Sequence, residues 1–240
     1  MPIEQLGLII SQIATFLIVL PITVAFWQRR QLNRTLRLVY LYCVMLLVIS
    51  IVLQTIVWAV NHYVDFFLPI LTKLNIQDMS FISILEVINQ LVLLSGFYVA
   101  LSNNTKLGKT VKYTSRVLIS SCLVNYFFIE GYNVPSVFNG VVPSLYFVIL
   151  SLIHFRFIFT NPNSQIILRK NPYFWINLAI LFRHVLGLFL RLAGKKMFTT
   201  DVPLFLAINV ADDFLQVISL VLFAIGFYYA RYTKYLPEKW

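Results

Sequence analysis

Apolar residues run along this chain in long unbroken stretches, separated by short polar segments that are mostly basic. An α-helix needs about 20 consecutive apolar residues to cross the hydrocarbon core of a bilayer. Taken in order, the runs predict seven spans, at about 6–27, 38–60, 78–101, 111–130, 137–159, 174–194 and 203–230. The fold class this implies is all-α: one polytopic bundle of seven transmembrane helices occupying residues 1–240. The first run has no basic segment ahead of it and is followed by QRRQLNRTLR, so it reads as an uncleaved span. Pro21 lies near its far end, where a kink is tolerated. Pro135, Pro143, Pro162, Pro172 and Pro203 read as marks of span ends or starts. The fourth span is the weakest. Its purely apolar core covers only 117–129, so it must reach back towards Val111 with Lys112 and Arg116 extending to the interface. The longest connection, NHYVDFFLPILTKLNIQDMS, is half apolar and aromatic and is expected to form a short interfacial helix or cap.

Composition agrees with the pattern. The chain is 60% hydrophobic and 12% charged, against about 25% charged in soluble domains. Spans and short loops leave no room within the 240 residues for a separate soluble module, so a signal would have to leave through a partner. Cys43 and Cys122 both fall inside apolar runs without metal-ligand spacing and read as small buried hydrophobes.

The net charge of +10 changes the picture only through its distribution. The bases sit in short loops, which points to topology control and anionic lipid headgroups rather than nucleic acid. With seven spans one side carries Arg29, Arg30, Arg34, Arg37, Lys106, Lys109, Lys112, Arg116, Arg156, Arg169, Lys170, Arg231, Lys234 and Lys239. The other side carries Lys73, Arg191, Lys195 and Lys196. Leaving the fourth run out of the membrane evens this division, so the positive-inside rule predicts seven spans with the N-terminus outside and the C-terminus cytoplasmic. His154 and Arg156, at the cytoplasmic end of the fifth span, read as interfacial anchors. Tyr228, Tyr229 and Tyr232 read as an aromatic belt.

Polar residues inside the spans are the candidate chemistry. Arg183 and His184 sit at the centre of the sixth span, where an arginine costs about 2.5–3.5 kcal/mol on insertion scales and calls for an acidic partner. Ser83, Glu86, Asn89 and Gln90 share a face of the third span. Asn209, Asp212, Asp213, Gln216 and Ser219 do the same on the seventh, and Asn177, His184, Gly187 and Arg191 align on the sixth. At about 1.5 Å per residue, Glu86, Arg183, His184, Asp212 and Asp213 all lie roughly 12–16 Å below the outer surface. Gln54 and Asn125 also fall in the outer half. The residues predicted to bind a ligand or ion are therefore Glu86, Asn89, Gln90, Arg183, His184, Asp212 and Asp213. Three carboxylates against one arginine leave a surplus of negative charge. A protonated carboxylate, a charged His184 or a bound cation would relieve it.

Several function classes drop out. A retinal Schiff base needs a lysine within the seventh span, and Lys234 lies beyond it. The zinc-hydrolase HExxH, the GxSxG elbow and the P-loop are absent, His62, His154 and His184 do not cluster, and no cofactor or structural metal is expected. An intramembrane hydrolase using Glu86 with Asp212 or Asp213 is a minor alternative to a non-enzyme.

The runs ILEVINQLVLLSGFYVAL and NPYFWINLAILF, with a closing span carrying Asn209, resemble a family of bacterial seven-helix inner-membrane proteins that has no assigned activity. The features carrying the resemblance are Glu86 in the third span and Phe174, Trp175 and Ile176 after Pro172. It implies a multi-pass protein of the bacterial cytoplasmic membrane working beside a sensor kinase or another membrane protein. Where this chain has Arg183 and His184, the family usually has an aromatic and small polar residues. The resulting expectation is a receptor-like or sensory subunit, with an outer-half polar cavity for a small ligand, proton or cation. A proton- or cation-coupled transporter and a ligand-free scaffold are the alternatives. Below Ser219 the seventh span is almost wholly apolar, which favours sensing over transport.

Overall fold

The computed structural model describes residues 3–73, 82–102, 105–131, 136–160, 168–200 and 202–235. Every regular element among them is helical. In chain order these are α1 (Ile3–Leu17), α2 (Val19–Trp27), α3 (Arg34–His62), α4 (Val64–Lys73), α5 (Ser83–Asn89), α6 (Ser95–Leu101), α7 (Lys106–Val124), α8 (Val137–Thr160), α9 (Pro172–Thr200) and α10 (Val202–Tyr228). A π-helical segment, Gln90–Leu94, joins α5 to α6, and a second, Asn125–Ile129, extends α7. Residues 74–81, Pro135, Pro162, Asp201 and Lys239, along with the side chains of Arg191, Lys195, Lys196 and Pro203, lie outside what is described.

Among the described residues, six helical stretches are long and apolar enough to cross a membrane: Ile9–Trp27, Arg34–His62, Ser83–Leu101, Val137–Thr160, Pro172–Leu190 and Ala207–Tyr228. Their outward faces carry large apolar side chains, among them Phe16 at 77% exposure, Trp27 at 82% and Trp58 at 54%. Such a surface suits hydrocarbon, and the chain is a helical, multi-pass membrane protein. The fourth predicted span corresponds to α7 and its π extension. It is less apolar than the other six, because Lys106, Lys109, Lys112 and Arg116 stud its first half.

Local chemistry explains the helix boundaries. The first span is two helices with a break at Ile18, three residues before Pro21. The proline ring crowds the carbonyl of the residue four positions back, Leu17, so the kink falls upstream of the proline itself. Asn33 caps α3 by accepting from the Leu36 amide at 3.0 Å. Asn171 caps α9 by accepting from the Tyr173 amide at 2.9 Å, with Pro172 in the first helical position, where no amide is needed. Pro143 is not at a span end. It lies inside α8, where Gly140 and Ser144 flank the disturbed turn and the Ser144 hydroxyl donates to the Gly140 carbonyl at 2.7 Å. The connection after α3 contains the expected short helix, α4, which buries none of its residues.

Helix α9 is the hub of the bundle, packed on α10 and α8, while α1 and α2 pack on α10 and α3 packs on α5, α6 and the π segment between them. The main core gathers Tyr42, Leu91, Leu94, Phe97, Phe147, Ile176, Ile180, Phe223 and Phe227. Close approach of α9 and α10 depends on Gly226, since a Cβ there would sit 2.7 Å from Ile176 Cγ1 and 3.2 Å from the Pro172 carbonyl. Cys43 and Cys122 are buried free thiols, as their apolar surroundings predict.

Candidate functional site

Arg183 projects from α9 towards α10 and finds its acid there. Its Nη1 lies 3.0 Å from Asp212 Oδ1 and donates to the Asp212 backbone carbonyl at 2.9 Å, while Nη2 donates to Gln216 Oε1 at 3.2 Å. The two charged side chains are 13% and 28% exposed. Asp212 Oδ1 receives no aligned hydrogen bond, so the carboxylate pairs with the guanidinium by charge, and the directed bonds go to the carbonyl and to Gln216. Asp212 and Gln216 are four residues apart on one helical face, which is why one guanidinium reaches both.

These groups border a small cavity in the bundle. Tyr42, Glu86, Gln90, Arg183, His184, Gln216 and Ser219 line it, closed off by Leu46, Leu94, Ile180, Leu220 and Phe223. Glu86, Gln90 and Leu94 all reach the same cavity although they are spaced four apart. In an α-helix such residues drift by about 40° per step. The wider turn of the Gln90–Leu94 π segment takes up much of that drift, and π turns of this kind recur at functional sites. The cavity volume is about 20 Å³. A cavity needs about 10–15 Å³ to hold one water molecule, so this one has room for a water or a bare ion and none for an organic ligand.

His184 is 1% exposed, stacked on Phe147 at 4.8 Å, with Nδ1 3.4 Å from Ser144 Oγ. Ser144 Oγ also donates to the Gly140 carbonyl at 2.7 Å, so this hydroxyl links His184 to the disturbed turn of α8. The imidazole therefore ties α9 to α8, while its neighbour Arg183 ties α9 to α10.

Of the residues predicted from the sequence, Glu86, Gln90, Arg183 and His184 meet at one cavity and Asp212 pairs with Arg183. Asp213 is half-buried outside the cavity lining, within electrostatic reach of Arg183 together with Glu86. Asn89 turns elsewhere, donating from Nδ2 to the Tyr42 carbonyl at 3.3 Å and fastening α5 to α3. Tyr42 was missed because a tyrosine in an apolar run reads as hydrophobic. Gln216 and Ser219 lay on the polar face of the seventh span without being singled out, and the i, i+4 relation of Gln216 to Asp212 was the available signal.

Two further polar clusters lie away from this cavity. Asn177, aligned with His184 on the sequence, instead accepts from the Tyr98 hydroxyl at 2.7 Å and donates to the Ser151 carbonyl at 3.0 Å, and Ser151 Oγ lies 2.8 Å from the same hydroxyl. That network joins α6, α8 and α9. His154 stands beside it with its ring 6.2 Å from that of Tyr98, and at 5% exposure it is buried rather than an interfacial anchor. Its place on the inward face of α8, three residues after Ser151, puts it there; Arg156, two residues on, is exposed. Asn125 belongs to a third cluster. Its Nδ2 lies 3.0 Å from Glu130 Oε2 and 2.9 Å from Ser136 Oγ, Ser136 also donates to Glu130, and together they fasten the π extension of α7 to the start of α8.

Comparison with protein-family models, with curated proteins and with solved structures finds no match to this chain.

Proposed function

We propose that this membrane protein is a sensory subunit whose central acid–base cluster responds to protons or a small cation reaching it from the outer side of the bilayer. The observation that carries the reading is the cavity of about 20 Å³ between Glu86, Gln90, Arg183 and His184, which suits a proton, a water or an ion and excludes an organic ligand. Among the described residues, the ionisable groups at or near it are Glu86 from α5, Tyr42 from α3, Arg183 and His184 from α9, and Asp212 and Asp213 from α10. The single guanidinium satisfies Asp212, and the charge of Glu86 and Asp213 is what a proton or cation would neutralise. Loss of that charge would relax the pull on Arg183 and let α9 move against α10.

The topology belonging to this reading has seven spans, N-terminus outside, with α7 and its π extension as the fourth. Its support is the concentration of bases on one side and the hydrogen-bonded anchoring of Asn125 to α8. The basic loops on the cytoplasmic face would pass the change to a separate membrane partner, and the resemblance noted above suggests a sensor kinase in a bacterial inner membrane.

A second reading, proton- or cation-coupled transport, draws on the Tyr98–Ser151–Asn177 network. Polar groups do continue towards the basic end, on the third, fifth and sixth spans rather than the seventh.

Infrared difference spectra between pH 8 and pH 4, on protein in nanodiscs, test the proposal. A protonated-carboxyl band is expected that weakens in Glu86→Gln or Asp213→Asn, with a conformational change reported by a probe on the cytoplasmic loops. A spectrum unaltered by both substitutions would refute sensing at this cluster. Proton or cation flux in proteoliposomes would transfer the cluster to the transport reading.

A further inference from the structure

A second, much larger cavity lies where α6 and α8 end and α7 begins, and its volume is about 230 Å³. It is partly open rather than an enclosed void and is an order of magnitude larger than the central cavity, which gives it room for an occupant. Its walls are mainly apolar, from Leu101, Leu150, Ile153 and Phe157. Tyr98 forms its base, presenting the ring, because the hydroxyl is committed to Asn177 and Ser151.

The charge around the cavity has one sign. Lys106, the first residue of α7, stands at the mouth and is exposed, followed by Lys109, Lys112 and Arg116 on the same helix. None of α6, α7 and α8 contains an aspartate or glutamate. A cation would find no counter-charge on these helices, and the lysine favours an anion over a neutral head by charge. The volume also falls below the roughly 300–1,000 Å³ of pockets for drug-sized ligands, which favours a single flexible chain over a ring system. Position agrees, since Lys106 and the last residues of α6 and α8 lie at the helix ends, where lipid headgroups sit.

We propose that this cavity binds a single-chain anionic amphiphile drawn from the bilayer, with its charged head at Lys106 and its chain running between α6 and α8 to Tyr98. The site is separate from the Arg183 cluster and stands whether or not that cluster senses protons.

Radiolabelled decanoate, bound to the protein in phosphatidylcholine nanodiscs and corrected for empty nanodiscs, tests this. Binding is expected to saturate, to weaken about fivefold in Lys106→Gln, which removes one exposed charge, and to be lost in Ile153→Trp, which fills the chain path. Should Ile153→Trp not purify, Leu107→Trp at the half-buried mouth takes its place. Decanol, with the same chain and no charge, is expected to compete poorly, and inorganic phosphate not at all. Non-saturable binding, binding unchanged in either variant, or equal competition by decanol or phosphate would overturn the proposal.

Discussion

Removing Arg183 and Asp212 singly and together measures how far one ion pair holds two helices of this bundle. Arg183→Leu deletes three contacts at once: the 3.0 Å approach to Asp212 Oδ1, the bond to the Asp212 carbonyl and the bond to Gln216. Stripping one partner from a buried pair costs about 3–5 kcal/mol in soluble proteins. Polar contacts between membrane helices are weaker, averaging about 0.6 kcal/mol with a maximum near 1.7. With side-chain exposures of 13% and 28% the pair is largely but not fully desolvated, so about 2–4 kcal/mol is expected for Arg183→Leu. Asp212→Asn keeps the backbone carbonyl and Gln216 as acceptors and should cost only about 1–2 kcal/mol. In the double variant the stranded carboxylate is gone, so the loss should fall about 1–2 kcal/mol short of the sum of the singles. Unfolding in detergent followed by circular dichroism is the measurement to use. Expression level would mislead, because leucine in place of arginine also eases insertion by about 2.5–3.5 kcal/mol. Asp213→Asn removes a neighbouring charge without touching the ion pair and should cost less than Arg183→Leu in the same assay. Additivity within about 0.5 kcal/mol, or Asp212→Asn as damaging as Arg183→Leu, would refute the pairing.

Other substitutions separate the remaining features. Tyr98→Phe leaves Asn177 Oδ1 without its 2.7 Å donor and should lower stability by about 1–2 kcal/mol in the same unfolding assay. Gly226→Ala drives a Cβ to 2.7 Å from Ile176 Cγ1 and should cost about 1–3 kcal/mol. Gly187→Ala, whose Cβ would meet Asp212 Oδ1 at an ordinary 3.6 Å, should leave the midpoint almost unmoved. Buried Cys43 and Cys122 should resist a membrane-impermeant maleimide in intact cells. Against that silent background, cysteines replacing Arg30 and Lys73 should label from opposite sides, and labelling from the same side would break the predicted topology.

Much of the architecture was legible because a membrane helix is written locally. Run length, flanking bases and the absence of acids from α6, α7 and α8 depend on composition alone, and six of the predicted spans return as helices of spanning length. Depth was legible too. Counting residues down the sixth and seventh spans put Arg183 level with Asp212 and Asp213, and the structure pairs it with Asp212. At Pro21 a kink was read as tolerated, and the break appears at Ile18, since a proline disturbs the turn before it.

What the tertiary structure alone decided is rotation and volume. Neighbouring helical residues point about 100° apart, so the choice of Asp212 over Asp213 rests on how α10 is turned against α9, which packing at Gly226 and Ile176 helps to set. The π segment after Asn89 likewise has no periodicity that announces it, yet it keeps Glu86, Gln90 and Leu94 on one cavity while Asn89 reaches Tyr42. Tyrosine hides its hydroxyl in an apolar run, which concealed both Tyr42 and the Tyr98–Ser151–Asn177 network. Cavity volume is a difference between large packed volumes contributed by distant segments, and no local pattern encodes it. The sequence by itself therefore determined that the chain is a helical, multi-pass membrane protein and which charges lie level with one another along its helices. Only the packed bundle decided that the central site is the size of a water molecule and that a roomier cavity of about 230 Å³ lies at the basic end.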